Sequence, residues 1–208
     1  MNPELKKFKR VIKHRKVRES AKRRMKQKYL AWKKQFTQPR PKSKINKEDQ
    51  EFFDEIKKIK KLPIVKVVYS TDLDKLREKS KPVKKIDEEF IKQMAVTLLH
   101  EPFAVGLSTI QVGKPEQYMM VKWQGDIELF INPEVKKEYW QTDDMKEGCL
   151  SLPGEKVLVT RPKYIVLDYT NENNKRIKNF KATGVMARIL GHELDHLKGK
   201  LIIDYEEK

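Results

Sequence analysis

The residues best equipped for chemistry in this chain are His192, Glu193 and His196, in the run Gly191-His192-Glu193-Leu194-Asp195-His196-Leu197. Histidines four residues apart share one helix face at about one turn's distance, so both imidazoles can reach a single ion. Glu193 falls beside that ion. A carboxylate there can take a proton from a water molecule that the ion acidifies from a pKa of about 15.7 to about 7, which is hydrolytic chemistry. The same pattern arises on ordinary charged helices whose histidines are merely solvated. Here the flanks favour the metal: Val185, Met186, Ile189, Leu190, Leu194 and Leu197 recur at helical spacing. The motif is therefore expected on a buried or half-buried helix that Gly184 starts and Gly199 ends.

A catalytic ion usually keeps three protein ligands and one open position, and Cys149, the one cysteine of the chain, is the candidate for the third. A lone cysteine is ordinarily a small buried hydrophobe. Its neighbours argue otherwise, because Gly148 before it and Ser151, Pro153 and Gly154 after it predict irregular turns rather than a regular core strand. With one cysteine no internal disulfide can form, and no signal peptide is evident, so a reducing compartment is expected and secretion is not. A third segment, from Ala104 to Gly113, reads as a glycine-containing turn between helix and strand that carries a side-chain amide, Gln111.

In this order the segments Ala104–Gln111, Glu147-Gly148-Cys149-Leu150-Ser151 and Gly191–Leu197 resemble the three motifs of the peptide deformylase family, G-x-G-L-[AS]-A-x-Q, E-G-C-L-S and Q-H-E-x-D-H-L. The resemblance covers about residues 65–208 and extends to Lys79-Ser80-Lys81-Pro82-Val83, Phe130-Ile131-Asn132-Pro133-Glu134 and Gly199–Asp204. It departs at Ala104, Thr109 and Gly191, where the family has glycine, alanine and glutamine. A glycine inside a helix costs about 1 kcal/mol relative to alanine, so Gly191 is expected to loosen the metal helix slightly.

The resemblance implies an α+β fold in which antiparallel sheets pack around a central helix carrying H-E-x-x-H. It also implies an activity, removal of the formyl group from the N-terminal formylmethionine of nascent polypeptides. By similarity to the family, Cys149, His192 and His196 hold one divalent metal, and Glu193 is the general base. Gln111 and the backbone N–H of Leu150 bind the oxyanion. Val105, Gly106 and Gly148 line the groove for the substrate backbone, and Asp195 pairs with Arg161 behind the metal. One thiolate with two imidazoles suits zinc or iron(II); the resemblance favours iron(II). Two other functions stay open, a zinc peptidase sharing H-E-x-x-H and an inactive, ribosome-associated structural protein with this fold. The cysteine ligand and the glutamine donor oppose the first, and the intact set of ligands, base and amide opposes the second.

The elements that must position these residues follow from periodicity. Phe90, Ile91, Met94, Ala95 and Leu98 predict a helix from Asp87 to His100, read as the first of the catalytic domain. Strands are expected at Tyr118–Trp123, Leu129–Ile131, Lys156–Thr160, Tyr164–Thr170 and Arg176–Lys181. Upstream, Phe52, Phe53, Ile56 and Ile59 predict an amphipathic helix from about Lys47 to Lys61, ended by Pro63. No run approaches the length of a transmembrane helix.

Charge divides the chain. Residues 1–50 hold nineteen lysines and arginines against four acids, +15 of the chain's +17, so the remaining 158 residues are almost neutral. The expected organisation is a basic extension over 1–46, a helix and linker over 47–64, and a catalytic domain over 65–208. The extension interleaves cations with Tyr29, Trp32 and Phe36, a pattern that fits ribosomal RNA, a solvated tail or an organellar presequence. The family-like region stops at Asp204, four residues before the end at Lys208, without the C-terminal helix by which some bacterial deformylases dock on the ribosome. Met1 to about Pro41 is expected to take over that docking, in a bacterial cytoplasm or an organelle matrix.

Overall fold

In a computed structural model of the chain, the described residues are 54, 57–66, 70–123 and 126–206. Two helices, α1 (Ser70–Leu76) and α2 (Glu88–His100), precede the first strand in residues 70–206. The five apolar residues that predict α2 are all buried, and Asp87 caps it by accepting a hydrogen bond from the Phe90 N–H at 3.0 Å. Seven strands follow: β1 (Gly106–Ser108), β2 (Tyr118–Trp123), β3 (Asp126–Glu138), β4 (Thr142–Cys149), β5 (Leu152–Pro162), β6 (Tyr164–Thr170) and β7 (Arg176–Thr183). The last helix, α3 (Gly184–Leu197), precedes a 3-10 turn at Ile202–Tyr205.

Five strands form one sheet in the order β1-β2-β3-β6-β7, while β4 and β5 make a separate antiparallel pair. The pairs β1–β2, β3–β6 and β6–β7 are antiparallel. The larger sheet turns Met119, Val121, Phe130, Ile165, Leu167 and Tyr169 onto α3, which answers with Met186, Ala187, Ile189, Leu190, Leu194 and Leu197. Burying a side chain of this size stabilises by roughly 1.5–3 kcal/mol, so this interface fixes where α3 lies. A second cluster joins Leu152, Val157 and Val159 of β5 to Leu76, Leu201 and Ile202. The helix bearing H-E-x-x-H contacts both sheets, in the α+β arrangement expected.

Several boundaries differ from the sequence reading. Helix α1 precedes α2, so α2 is not the first helix of this region. Strand β1 and a 3-10 turn at Thr109–Val112 replace the simple turn expected over 104–113. Cys149 is the last residue of a strand, β4, but an irregularity separates it from Glu147 and a turn at Leu150-Ser151 follows it, as the flanking residues predict. That strand, Thr-Asp-Asp-Met-Lys-Glu-Gly-Cys, is exposed along most of its length, so no apolar alternation marked it. β3 runs well past Ile131 because bulges at Ile131/Glu134 and Val135/Lys137 keep it paired with β6. The helix expected over 47–61 and the basic extension fall largely outside the described residues. Asp54, Lys57 and Lys58 are helical, and the helix has ended by Lys60.

Gly199, just after α3, adopts φ +75°, and a Cβ there would overlap the backbone carbonyl of Arg77. The nearby Arg77–Asp204 ion pair at 2.6 Å holds these segments together. Gly199→Ala combines left-handed strain with a backbone clash and is expected to destabilise the fold by about 2–4 kcal/mol, measured by urea unfolding. An unchanged midpoint would mean that the Arg77 carbonyl yields freely.

Candidate active site

Helix α3 carries His192 and His196 on one face, and the end of β4 brings Cys149 to them. One ligand atom from each of the three residues lies within 4.8 Å of the other two. Cys149 Sγ is 3.2 Å from His196 Nε2, and the two imidazole rings sit 4.9 Å apart, nearly edge to face. His192 Nδ1 meets Glu147 Oε2 at 2.9 Å, which leaves the opposite ring nitrogen for an ion. Burial pushes the His192 imidazolium toward losing its proton, but hydrogen bonds to Cys149 and Glu147 and the charge of Glu193 overcome this and raise it to about 10. The spot thus favours positive charge, and a divalent cation can take the place of that proton. Burial holds His196 well below the usual imidazole value, so it is neutral, as a ligand must be. The donor set fits a four-coordinate ion with one open position.

Glu193 is 3% exposed, with Oε2 lacking a partner among the described residues. Burial raises its carboxyl to about 7, against the opposing pull of His192, Ser108 and Arg161. A carboxyl so poised can both take and return a proton near neutral pH. Its Oε1 lies where a Cβ on Gly106 would stand. Gln111 sits on the 3-10 turn after β1, where its Oε1 accepts from the Ser108 N–H at 3.0 Å and the Ser108 hydroxyl at 3.1 Å. That grip turns the Gln111 amide N–H toward Cys149 Sγ, 3.6 Å away.

Behind the ligands is a buried ionic cluster. Glu147 receives Arg161 Nε at 2.7 Å and Nη2 at 3.0 Å, and Arg188 Nη1 at 2.7 Å. Arg161 Nη1 also reaches Asp195 at 2.8 Å, and the Tyr205 hydroxyl donates to the same carboxylate. Glu147, Arg188, Ser108 and Tyr205 received no role from sequence reasoning. Glu147 stood in plain view within the cysteine motif, and Arg188 lies one helical turn before His192 among apolar residues, a position where a cation must have a buried partner. α3 runs unbroken through Gly191, and Arg161 packs 3.2 Å from where a Cβ would be. The missing side chain makes room for that guanidinium.

The front of this arrangement borders a cleft of about 400 Å³. Val105, Gly106, Gly148, Leu150, Gln111, Cys149, His192 and Glu193 line it, with Val185 and Ile189 as apolar walls. Asp195 and Arg161 stand behind the three side chains, and β1, the edge strand of its sheet among the described residues, brings Gly106 to the cleft. Gly106→Ala would push Glu193 out of place. A shift of about 1 Å in a reacting group costs on the order of 100-fold in rate, so this variant is expected to lose about that much kcat with its metal content unchanged. Wild-type kcat in Gly106→Ala would show that the Glu193 position is not critical.

Comparison with known proteins agrees with this geometry. The family model for polypeptide deformylase matches residues 64–208. The chain is similar to the peptide deformylase of Bartonella tribocorum, 38% identical over 143 residues covering 62% of this chain and 78% of the relative. It is similar to that of Rickettsia akari, 35% identical over 157 residues, 69% of this chain and 88% of the relative. Among solved structures, peptide deformylase from Thermotoga maritima superposes with a TM-score of 0.64 at 33% identity, covering 70% of this chain and 97% of that one. The Synechococcus elongatus enzyme, solved with actinonin, gives 0.63 at 31%, covering 71% and 82%. With its cysteine and histidine cluster, buried carboxylate and amide in the family's three motifs and most of its length matched, this chain belongs to the polypeptide deformylase family.

Proposed function

We propose that the chain removes the formyl group from the N-terminal formylmethionine of nascent polypeptides, with Cys149, His192 and His196 holding one divalent ion. The observation that carries this reading is the clustering of those three side chains at a cleft that Cys149, His192, the buried Glu193 carboxyl and the Gln111 amide line. Such an ion, iron(II) with zinc as substitute, supplies Lewis acidity toward water and the formyl carbonyl.

The residues of the chain do the rest. Glu193 takes a proton from the attacking water and delivers it to the departing amine, a cycle suited to a carboxyl held near 7. Gln111 Nε2 and the Leu150 N–H stabilise the oxyanion, donors of this type being worth ~3 kcal/mol each. The peptide lies along the free edge of β1 as an added strand, against Val105 and Gly106 on one side and Gly148 on the other. Val185 and Ile189 suit an apolar side chain such as methionine. Arg161 and Asp195 hold α3 in register behind the ligands.

The basic segment from Met1 to about Pro41 brings the enzyme to ribosomal RNA, where formylated chains emerge, in a bacterial cytoplasm or organelle matrix. Its excess of cations supports this role. Among the described residues no helix is long and apolar enough to cross a membrane.

Activity on a formyl-Met peptide, with iron(II) loaded anaerobically, tests the reaction. Glu193→Gln should keep a full complement of metal and lose about 100- to 10,000-fold in kcat, whereas Cys149→Ser should bind metal far more weakly. Full turnover by the first variant, or unchanged metal affinity in the second, would rule out the assignment. Deleting residues 1–45 should abolish co-sedimentation with ribosomes at low salt while sparing hydrolysis of a short peptide. Ribosome binding that survives the truncation would refute the docking role.

A further inference from the structure

Six large apolar side chains stand exposed among the described residues, and four of them, Phe103, Val105, Met145 and Val185, line the catalytic cleft. Scattered singly, such residues mean little; gathered around one groove, they mark a surface that something apolar covers. Phe103 is the extreme case at 88% exposed. Helix α2 ends at His100, and the Ala104 N–H then bonds back to the Glu101 carbonyl at 3.3 Å, closing a turn with Pro102 second and Phe103 third. Proline at the second position fixes the backbone angle that such a turn needs. Lys122 of β2 clamps both ends, donating from Nζ to the Glu101 carbonyl at 3.3 Å and from its backbone N–H to the Val105 carbonyl at 2.7 Å. Ala104 is buried between them. So anchored, the turn holds the Phe103 ring out at the cleft.

Along β1 the cleft is closed at one end and open at the other. Leu107, Ser108 and Gln111 are buried, whereas Val105 is 49% exposed and Phe103 more so. A peptide whose formyl end sits by Glu193 and Gln111 therefore leaves past Val105 toward Phe103. An extended chain advances about 3.3 Å per residue, and Phe103 lies two residues before Val105. With methionine beside Val105 and Gly106, the two residues that follow it come within reach of the ring. An apolar side chain there takes its own surface and that of the ring out of water together, which serine cannot do.

We infer that Phe103 determines specificity in the proposed reaction, favouring formyl-Met peptides with an apolar second or third residue. The inference rests on the deformylase reading and adds to it the kind of nascent chain that the site prefers. The test uses the full chain loaded with iron(II) and compares formyl-Met-Ser-Ser with formyl-Met-Leu-Ser and formyl-Met-Ser-Leu. At least one leucine peptide should exceed the serine peptide about 5- to 20-fold in kcat/KM. The gain should fall in KM, with kcat alike to within about twofold, because a contact far from the reacting bond stabilises ground and transition states equally. Phe103→Ser should bring the ratio to about one, and Phe103→Leu, which restores an apolar face, should keep most of it. Comparing peptides on one protein cancels any difference in metal content or folded fraction between variants. Equal kcat/KM for all three peptides in wild-type protein, or a preference that survives Phe103→Ser, would overturn the inference and leave deformylation standing. No turnover of any of the three would instead overturn the deformylase reading, and this inference with it.

Discussion

A carboxylate almost shut off from water is unstable as an anion unless cations and donors surround it, and Glu147, 8% exposed, is surrounded on every side. Arg161 supplies a two-pronged contact, Arg188 a third donor and His192 a fourth. Burial by itself would push this carboxyl up; the hydrogen bonds and charges of His192 and Arg161 outweigh it and hold it at about 2. A folded-state value below the usual 4.5 means the stabilisation is complete above that pH and is lost only as pH falls toward 2. Removing one partner from such a cluster typically costs 3–5 kcal/mol, because the remaining charges are left buried and unpaired.

The placement of that carboxylate joins structure to chemistry. Glu147 lies on β4, Arg161 on β5, and Arg188 and His192 on α3, so one ionic cluster ties the two-stranded sheet to the helix that the five-stranded sheet holds from its other side. Cys149 stands two residues beyond Glu147 on the same strand. Fixing Glu147 against His192 therefore fixes the distance between the thiol and both imidazoles. Arg188 also donates to the backbone carbonyls of Asp143 and Val159, one on each strand of the pair. Gly191 belongs to the same arrangement, since a longer residue there would compete with Arg161 for space against α3.

Much of this was legible in the chain. The histidine pair and its glutamate announce themselves by spacing, and α2, β2 and β6 carry enough apolar pattern to be placed to within a residue. β4 was not legible, because a strand exposed along most of its length has no alternation to read; only the irregular backbone around Cys149 leaves a trace, in the glycine, serine and proline that flank it. Ser108 was invisible for a different reason. Its value lies in two hydrogen bonds to Gln111, three residues on, and such a local contact leaves no periodic trace. The ionic cluster needs Glu147, Arg161 and Arg188 to be neighbours although 41 residues separate the first from the last, and only the tertiary fold can make them so.

The two glutamates that flank His192 show how environment, not residue type, divides the labour. Glu147 and Glu193 are both buried, yet one is held at about 2 and the other raised to about 7. The difference is in what faces them. Glu147 meets two guanidiniums and an imidazole N–H, so it remains an anion that orients its histidine and never needs a proton. Glu193 packs against the bare backbone of Gly106 and keeps one oxygen without a partner among the described residues, so burial dominates and its charge is easily given up. Two similar carboxyls driven apart in this way are the mark of an acid–base site. The same logic separates the histidines: at His192 hydrogen bonds to Cys149 and Glu147 outweigh burial and raise it, whereas at His196 burial dominates and lowers it. Glu147 thus holds a fixed negative charge on one side of the site, while burial keeps the Glu193 carboxyl near 7 on the other.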